Sequence, residues 1–241
     1  MIEAVPRLAV EQLRAGYDRD VDVLKRISIE VGNAQIVSVI GANGAGKSTL
    51  LRTITGYLEP KGGRVVFAGA EITGLRPDLA SQRGIGYLME GHTIFPRMNV
   101  EENLLLGAWP FRRQRARVTE AIERAYERVP WLKERRSTSA GLLSGGQQRI
   151  LEIERLCMTD PSLILLDEPS LGLAPKLAEQ MFIRALAFKE DGISVVLIDQ
   201  NIRRVIEISD YVYVVKRGEI QREGTGRALA ADVNEIVKDM I

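Results

Sequence analysis

The segment GANGAGKST, residues 41–49, restricts the fold of this chain more than any other feature of its sequence. It follows QIVSVI (35–40), a run so apolar that it predicts a strand buried on both faces. It precedes KSTLLRTITG (47–56), which predicts a helix closed by Gly56. The segment fits the phosphate-binding pattern G-x-x-x-x-G-K-[ST], which lies between a strand and a helix. The sequence therefore predicts a layered α/β fold around this loop.

The residue types of this loop are suited to holding phosphate groups. Its glycines let backbone N–H groups curl around phosphate oxygens, and the following helix adds the positive end of its dipole. Lys47 can reach the β- and γ-phosphates of a nucleotide, and the Ser48 hydroxyl can ligate Mg²⁺. The alternative is a glycine-rich turn that binds nothing, which the Lys-Ser pair in register disfavours. The predicted phosphate-binding residues are Gly41, Ala42, Asn43, Gly44, Ala45, Gly46, Lys47, Ser48 and Thr49.

Short apolar runs alternate with helical patterns along the rest of the chain, which also indicates an α/β fold. A charged, helix-forming stretch from roughly Val100 to Leu142 interrupts the alternation. We expect one domain, 1–241, with a helical subdomain inserted over about 100–145. Further strands are predicted at 7–13, 23–31, 63–69, 85–89, in LILLDEP (163–169), at 194–198 and 211–215, and further helices near 176–190 and 201–208.

Composition is that of a soluble globular protein, with 241 residues of which 45% are apolar and 27% charged. The net charge of +1 gives no reason to expect a nucleic-acid partner. The single cysteine, Cys157, excludes an intrachain disulfide and fits a reducing compartment. We expect neither a signal peptide nor a membrane span, and hence a cytoplasmic protein, because no apolar run approaches about 18–20 residues.

Two further motifs carry chemistry. LILLDEP ends an apolar strand in two acids: Asp167 can hold Mg²⁺, directly or through water, and Glu168 can polarise an attacking water as general base. A capping or surface acid pair is the alternative.

LLSGGQQRILEIERL (142–156) opens an amphipathic helix with Ser-Gly-Gly, a second anion-binding terminus. Taken alone, Ser144 could be only an N-cap of that helix.

The three motifs, in this order, resemble those of the ATPase subunits of ABC transporters, along essentially the whole chain. The resemblance implies a P-loop, ABC-type nucleotide-binding domain with an antiparallel β subdomain and an inserted helical subdomain. It implies head-to-tail dimers in which one chain's phosphate loop and the partner's Ser-Gly-Gly segment enclose each ATP. Tyr17 matches the aromatic residue that stacks on adenine in that family; a half-buried tyrosine beside a turn is the alternative. The residues implied to complete the opposite subunit's site are Ser144, Gly145, Gly146 and Gln147.

Three positions depart from the general pattern of that family. The lid after the strand IGYLM usually carries a glutamine that touches Mg²⁺ and the attacking water, and here Glu90 stands there. The strand SVVLI is usually followed by a histidine that contacts the γ-phosphate, and here Gln200 takes its place. The only histidine, His92, lies in the lid segment, where we expect it to face solvent or a subunit neighbour. The aspartate usual in the loop after Glu168 is replaced by Ala174.

Together the departures resemble a subtype, the ATPases of branched-chain amino-acid importers. The motifs that carry this resemblance are MEG…IFPRMNVEENLLLGA, LSGGQQ, DEPSLGLAP and DQN. They match the subunit with Glu in the lid and Gln at the switch, one half of a pair whose other ATPase has the usual glutamine and histidine. Asp199 stands where this subtype usually has Glu, and Met89 where it usually has Pro.

The resemblance implies an ATP-hydrolysing subunit that couples Mg-ATP binding and hydrolysis to uptake of branched-chain or related amino acids. Its implied partners are membrane permease subunits, a second ABC ATPase subunit and, indirectly, a solute-binding protein; its implied place is the cytoplasmic face of the membrane. Two alternatives stay open: a regulatory partner with weak hydrolysis, and the ATPase of a system for another small solute such as urea or amides. A DNA-repair or translation factor is disfavoured, because no tandem ATPase domain, coiled coil or basic surface is present.

The altered positions remain chemically workable. Gln200 can donate an amide N–H to a γ-phosphate oxygen, although it cannot become cationic. Glu90 can ligate Mg²⁺ more strongly than an amide, so the predicted metal ligands are Ser48, Glu90 and Asp167. The predicted catalytic residues are Glu168, Gln200 and Lys47. A Gln200 side chain that only caps the next helix is the alternative.

Two surface segments are candidate contacts. Phe95 and Met98, in the apolar tip HTIFPRMNV (92–100), are predicted to dock on the permease, or else to pack locally. The basic run FRRQRAR (111–117) is expected to be a solvated helix face paired with glutamates such as Glu120 and Glu123. Contact with the permease or with anionic lipid is the alternative for this run. The end, ADVNEIVKDMI, is expected to form a short amphipathic helix.

Overall fold

The computed structural model describes residues 5–91 and 93–239 and shows alternating strands and helices. His92 therefore lies outside the described residues. The strands are β1 (Leu8–Ala15), β2 (Leu24–Val31), β3 (Ile36–Ile40), β4 (Gly62–Phe67), β5 (Ala70–Glu71), β6 (Ile85–Leu88), β7 (Leu163–Asp167), β8 (Ser194–Ile198), β9 (Tyr211–Lys216) and β10 (Glu219–Thr225). The helices are α1 (Lys47–Ile54), α2 (Pro77–Gln82), α3 (Val100–Gly107), α4 (Arg115–Arg128), α5 (Pro130–Glu134), α6 (Gly145–Cys157), α7 (Pro175–Glu190), α8 (Ile202–Ile208), α9 (Gly226–Ala230) and α10 (Val233–Asp239).

The larger sheet has the strand order β10-β9-β3-β8-β7-β6, and all of its neighbouring strands are parallel except β10 and β9. Every residue of β3, β7 and β8 is buried, as expected for strands covered on both faces. Alternate residues of β3 enter two different core clusters, Val37 and Val39 on one face and Ile36 and Ile40 on the other. Because these strands are parallel, their carboxyl ends share one edge of the sheet.

The smaller sheet is antiparallel, with the order β2-β1-β4-β5. Its inward residues, such as Leu13 and Ile27, join Leu50 of α1 and Val39 of β3 in one core cluster. The predicted antiparallel β subdomain is therefore confirmed. It lies against α1, the helix that follows the phosphate-binding loop.

Helices α3 to α6 have a hydrophobic cluster of their own, which includes Val100, Leu104 and Leu132. Helix α6 belongs to two clusters: Leu151 packs in this helical cluster, whereas Ile153 and Cys157 pack against the larger sheet. The inserted helical subdomain is thus confirmed, and α6 is the helix that joins it to the sheet. No helix within the described residues is long and apolar enough to span a bilayer.

Candidate active site

The phosphate-binding loop lies between β3 and α1, as predicted. Gly44 and Gly46 have φ of 78° and 109°, left-handed conformations that favour glycine. An added Cβ at Gly41 would lie 2.2 Å from the carbonyl oxygen of Val215, so the loop passes close to β9. No side chain caps the N-terminus of α1, which leaves its first N–H groups available to an anion.

Lys47 folds back over this loop. Its Nζ donates hydrogen bonds to the carbonyl oxygens of Gly41 (2.8 Å) and Ala42 (3.0 Å). Burial lowers the pKa of Lys47, and attraction to Glu168 and Asp167 opposes that shift. The loop carbonyls thus hold the Lys47 ammonium group beside the N–H groups of the loop. Phosphate oxygens bound there could replace these carbonyls as hydrogen-bond acceptors of Lys47.

Asp167, the last residue of β7, is fully buried. Its two carboxylate oxygens accept hydrogen bonds from Ser48 Oγ and from Tyr87 Oη, each at 3.0 Å. Burial raises the pKa of Asp167, and both hydrogen bonds oppose the rise. A hydroxyl and a carboxylate oxygen about 3 Å apart fit one edge of an octahedron with metal–oxygen distances of about 2.0–2.1 Å. The residues present therefore fit Mg²⁺.

Glu168 has a fixed and unusual conformation. Its φ is 48°, in the left-handed region that few residues other than glycine adopt, and its N–H donates to the carbonyl of Ile198 at 2.8 Å. Gln200 Nε2 donates to Glu168 Oε2 at 2.7 Å. Burial raises the pKa of Glu168, whereas the hydrogen bond from Gln200 lowers it.

Gln200 does not cap the helix that follows it. Helix α8 is capped by Asn201, whose side chain accepts a hydrogen bond from the N–H of Arg204 at 3.3 Å. The Gln200 amide is directed to Glu168, a contact that the sequence did not predict.

A cavity of about 440 Å³ brings together residues that are distant along the chain. Tyr17 lies at its rim with 58% of its surface exposed, so the half-buried alternative does not describe it. The Tyr17 hydroxyl accepts a hydrogen bond from Arg52 Nη1 at 3.1 Å. The predicted site residues that line this cavity are Tyr17, Asn43, Gly44, Gly46, Lys47, Ser48, Thr49, Glu90, Glu168 and Gln200.

The Ser-Gly-Gly segment does not line this cavity. Ser144 caps α6: its Oγ accepts from the N–H of Gln147 (3.3 Å), and the Gln147 side chain accepts from the N–H of Ser144 (3.1 Å). A Cβ added to Gly145 would meet no atom within 4 Å, whereas one added to Gly146 would lie 2.5 Å from Leu177 Cδ1. The start of α6 is therefore an open surface, away from the chain's own phosphate-binding loop.

Sequence reasoning missed three polar residues that support the site. Tyr87 binds Asp167 from within an apolar strand, where its ring resembles one more core residue. Asp199 is buried and accepts hydrogen bonds from the N–H (3.0 Å) and Oγ (2.7 Å) of Ser170, which joins the switch to the loop after Glu168. Arg149 of α6 is buried beside the same loop. The pattern of apolar residues gives no signal for such contacts.

The two surface segments that were candidate contacts differ in their surroundings. Phe95 is half exposed and lines a groove of about 720 Å³, and Met98 lines a smaller one of about 240 Å³. The expected pairing of the basic run was wrong, because Glu120 pairs with Arg124 and Glu123 pairs with Lys133. Within the run, guanidinium groups lie over aromatic rings: Arg112 over Trp109 at 4.3 Å and Arg117 over Phe111 at 4.2 Å.

Comparisons with known proteins find similar sequences and a similar fold. Residues 24–171 match the sequence family described as ABC transporter. The high-affinity branched-chain amino acid transport ATP-binding protein BraG of Pseudomonas aeruginosa is 39% identical over 213 residues, 88% of this chain and 91% of that protein. The probable branched-chain amino acid transport ATP-binding protein LivF of Archaeoglobus fulgidus is 34% identical over 223 residues, 92% of this chain and 93% of that protein. The crystal structure of an ATP-binding cassette of an ABC transporter in its ADP conformation superposes with a TM-score of 0.85 at 32% identity and covers 98% of this chain and 99% of that one.

Proposed function

The chain belongs to the ABC transporter ATPase family, and we propose that it couples Mg-ATP hydrolysis to uptake of branched-chain or related amino acids through a membrane permease. The observation that carries this proposal is the cavity in which the phosphate-binding loop, Glu168 and Gln200 meet. The names of BraG and LivF support the substrate class.

In this proposal, the loop N–H groups and Lys47 bind the phosphates of ATP, and Tyr17 stacks on adenine. Ser48, Asp167 and Glu90 hold Mg²⁺, and Tyr87 keeps the buried Asp167 carboxylate oriented toward Ser48. The bound ion would neutralise charge on the β- and γ-phosphate oxygens. Glu90 is exposed on the cavity wall, so it can reach the ion without a change in the core.

Glu168 is the proposed general base, and Gln200 orients it. The raised pKa of Glu168 increases its ability to take a proton from water. An amide nitrogen carries two N–H donors. One donor of Gln200 binds Glu168 in the structure, and we propose that the other binds a γ-phosphate oxygen. Gln200 would then join base and substrate in one hydrogen-bonded chain.

The remaining partners follow from the open surfaces. The start of α6, residues 144–147, would complete the ATP site of a second ATPase subunit, identical or paired. Phe95 and Met98 would dock on the permease at the cytoplasmic face of the membrane. A solute-binding protein would act only indirectly, through the permease.

Co-purification from membranes tests the transport role. We expect the chain to bring down a permease and a second ATPase subunit, and vesicles containing the complex to accumulate labelled leucine in the presence of ATP. Phe95→Asp should abolish the association. Ile183→Asp is the matched control, because Ile183 is a similarly exposed apolar residue, and it should keep the association, because it lies on α7 and not in the apolar tip. Accumulation of urea without leucine would overturn the substrate class, and absence of any membrane partner would overturn the transport role.

A further inference from the structure

Arg149, in the second turn of α6, makes the most extensive polar contacts of any side chain near the active site. It is only 3% exposed. Its guanidinium donates hydrogen bonds to two segments of backbone and to one carboxylate. The acceptors are the carbonyl oxygens of Met89 (3.1 Å), Gly91 (2.8 Å), Asp167 (3.3 Å), Glu168 (3.4 Å) and Pro169 (3.4 Å), and the carboxylate of Glu152 (2.9 Å).

These contacts need the particular shape of a guanidinium group. Burying a cation is costly unless hydrogen bonds compensate for its lost hydration. A planar fork with five donors can serve separate carbonyls at once, whereas a lysine ammonium concentrates its donors at one point. Glu152, also buried, accepts from the N–H groups of Thr93 and Ile94 on one carboxylate oxygen and from Arg149 on the other, so its side chain ties the lid segment to α6.

The two backbone segments are those that position the proposed catalytic groups. Met89 and Gly91 flank Glu90 in the lid. Asp167 ends β7 and Glu168 follows it, with a left-handed φ that costs free energy and persists only where the surrounding structure fixes it. Its carbonyl oxygen accepts from Arg149 Nη2 and from the N–H of Leu171. A displacement of α6 would therefore move the lid and the Glu168 backbone together.

We propose that Arg149 is a positioning residue that transmits the position of α6 to Glu168 and Glu90. The start of the same helix would contact the ATP bound by the partner subunit. Nucleotide in the partner's site would then set the catalytic geometry in this chain's site. The inference rests on the proposed function.

The test compares Arg149→Lys with Arg155→Lys in the assembled transporter. Arg155 lies on the same helix; among the described residues it donates hydrogen bonds to Thr93, at 2.9 Å and 2.8 Å, and none to the end of β7. For Arg149→Lys we expect kcat to fall roughly 10- to 100-fold, because displacing a catalytic group by about 1 Å has effects of that size. The KM for ATP should change less than about twofold, and the Hill coefficient for ATP should fall toward 1. Arg155→Lys should keep both kcat and the Hill coefficient.

A second variant, Arg149→Ala, distinguishes the loss of a positioning guanidinium group from misfolding. Arg149→Ala should regain part of its kcat when millimolar guanidinium chloride is added, and Arg155→Ala should not respond. An unchanged kcat and Hill coefficient in Arg149→Lys, with active wild type, would overturn the inference and leave the proposed function intact. A kcat that falls only in proportion to the folded fraction would also overturn it. Absence of hydrolysis in the wild type would contradict the proposed function and this inference together.

Discussion

Polar residues at the ends of buried strands form the centre of this site. Asp167, Glu168 and Gln200 could be identified from sequence because they end or follow an apolar run, where a polar group is unusual, and Ser48 because it belongs to the phosphate-binding pattern. Their mutual contacts could not be identified. The 2.7 Å bond from Gln200 to Glu168 joins residues 32 positions apart, and it depends on two side-chain conformations that no periodicity encodes.

Gln200→Ala tests the role of this amide. Removing the donor should lower kcat on the order of 10-fold, because the Glu168 carboxylate loses the contact that orients it, with nucleotide affinity little changed. Single-turnover hydrolysis and equilibrium binding of ATP measure the two quantities. Asn201→Ala is the matched control: it removes the cap of α8 and should lower the free energy of unfolding by about 1 kcal/mol without affecting hydrolysis. Equal hydrolysis rates in Gln200→Ala and wild type would show that the amide has no catalytic role.

Elements with a continuous apolar run or a strong helical pattern were predicted from the sequence, and elements with neither were missed. The buried strands β3, β7 and β8 and the helices α1, α7 and α8 lie close to their predicted ranges. Strand β10 was missed because its residues are largely exposed and do not alternate between apolar and polar. Helix α2 has six residues and buries only Ala80, which is too little for a helical pattern. Helix α9 is shorter still.

Substitutions of the two glycines at the start of α6 can test the stability of this helix and its proposed contact with a partner independently. Gly145→Asp should fold normally, because a Cβ there meets no atom within 4 Å. It should nevertheless reduce hydrolysis by the assembled dimer roughly 100-fold, since the added carboxylate would place a negative charge against the partner's phosphates. Thermal unfolding and steady-state ATPase activity measure the two effects.

Gly145→Ala is the control for this variant and should retain most of the activity. Gly146→Ala should instead lower the unfolding temperature, because its Cβ would lie 2.5 Å from Leu177 Cδ1. Normal hydrolysis by Gly145→Asp would contradict the assignment of residues 144–147 to the partner's ATP.

At the scale of the whole molecule, the chain presents one cavity proposed to hold ATP and one separate helix start proposed to contact a partner's ATP. The first could be predicted because the phosphate loop and the acids of β7 belong to one sheet edge. The second could be recognised only by its motif, since its proposed function depends on another subunit. Helix α6 connects the two, through Ser144 at its start and Arg149 one turn later. The proposed import cycle depends on this connection, because closing and opening of two subunits must be linked to hydrolysis.

We propose that this chain's own site hydrolyses ATP with Glu168 as base. Single-turnover hydrolysis of γ-labelled ATP with Mg²⁺, by the assembled transporter in excess over ATP, compares wild type with Glu168→Gln in this chain directly. We expect equal ATP affinity in the two proteins and phosphate release that is about 10²- to 10⁴-fold slower in Glu168→Gln. Equal rates of release in the two proteins, or ATP binding without hydrolysis in both, would contradict it.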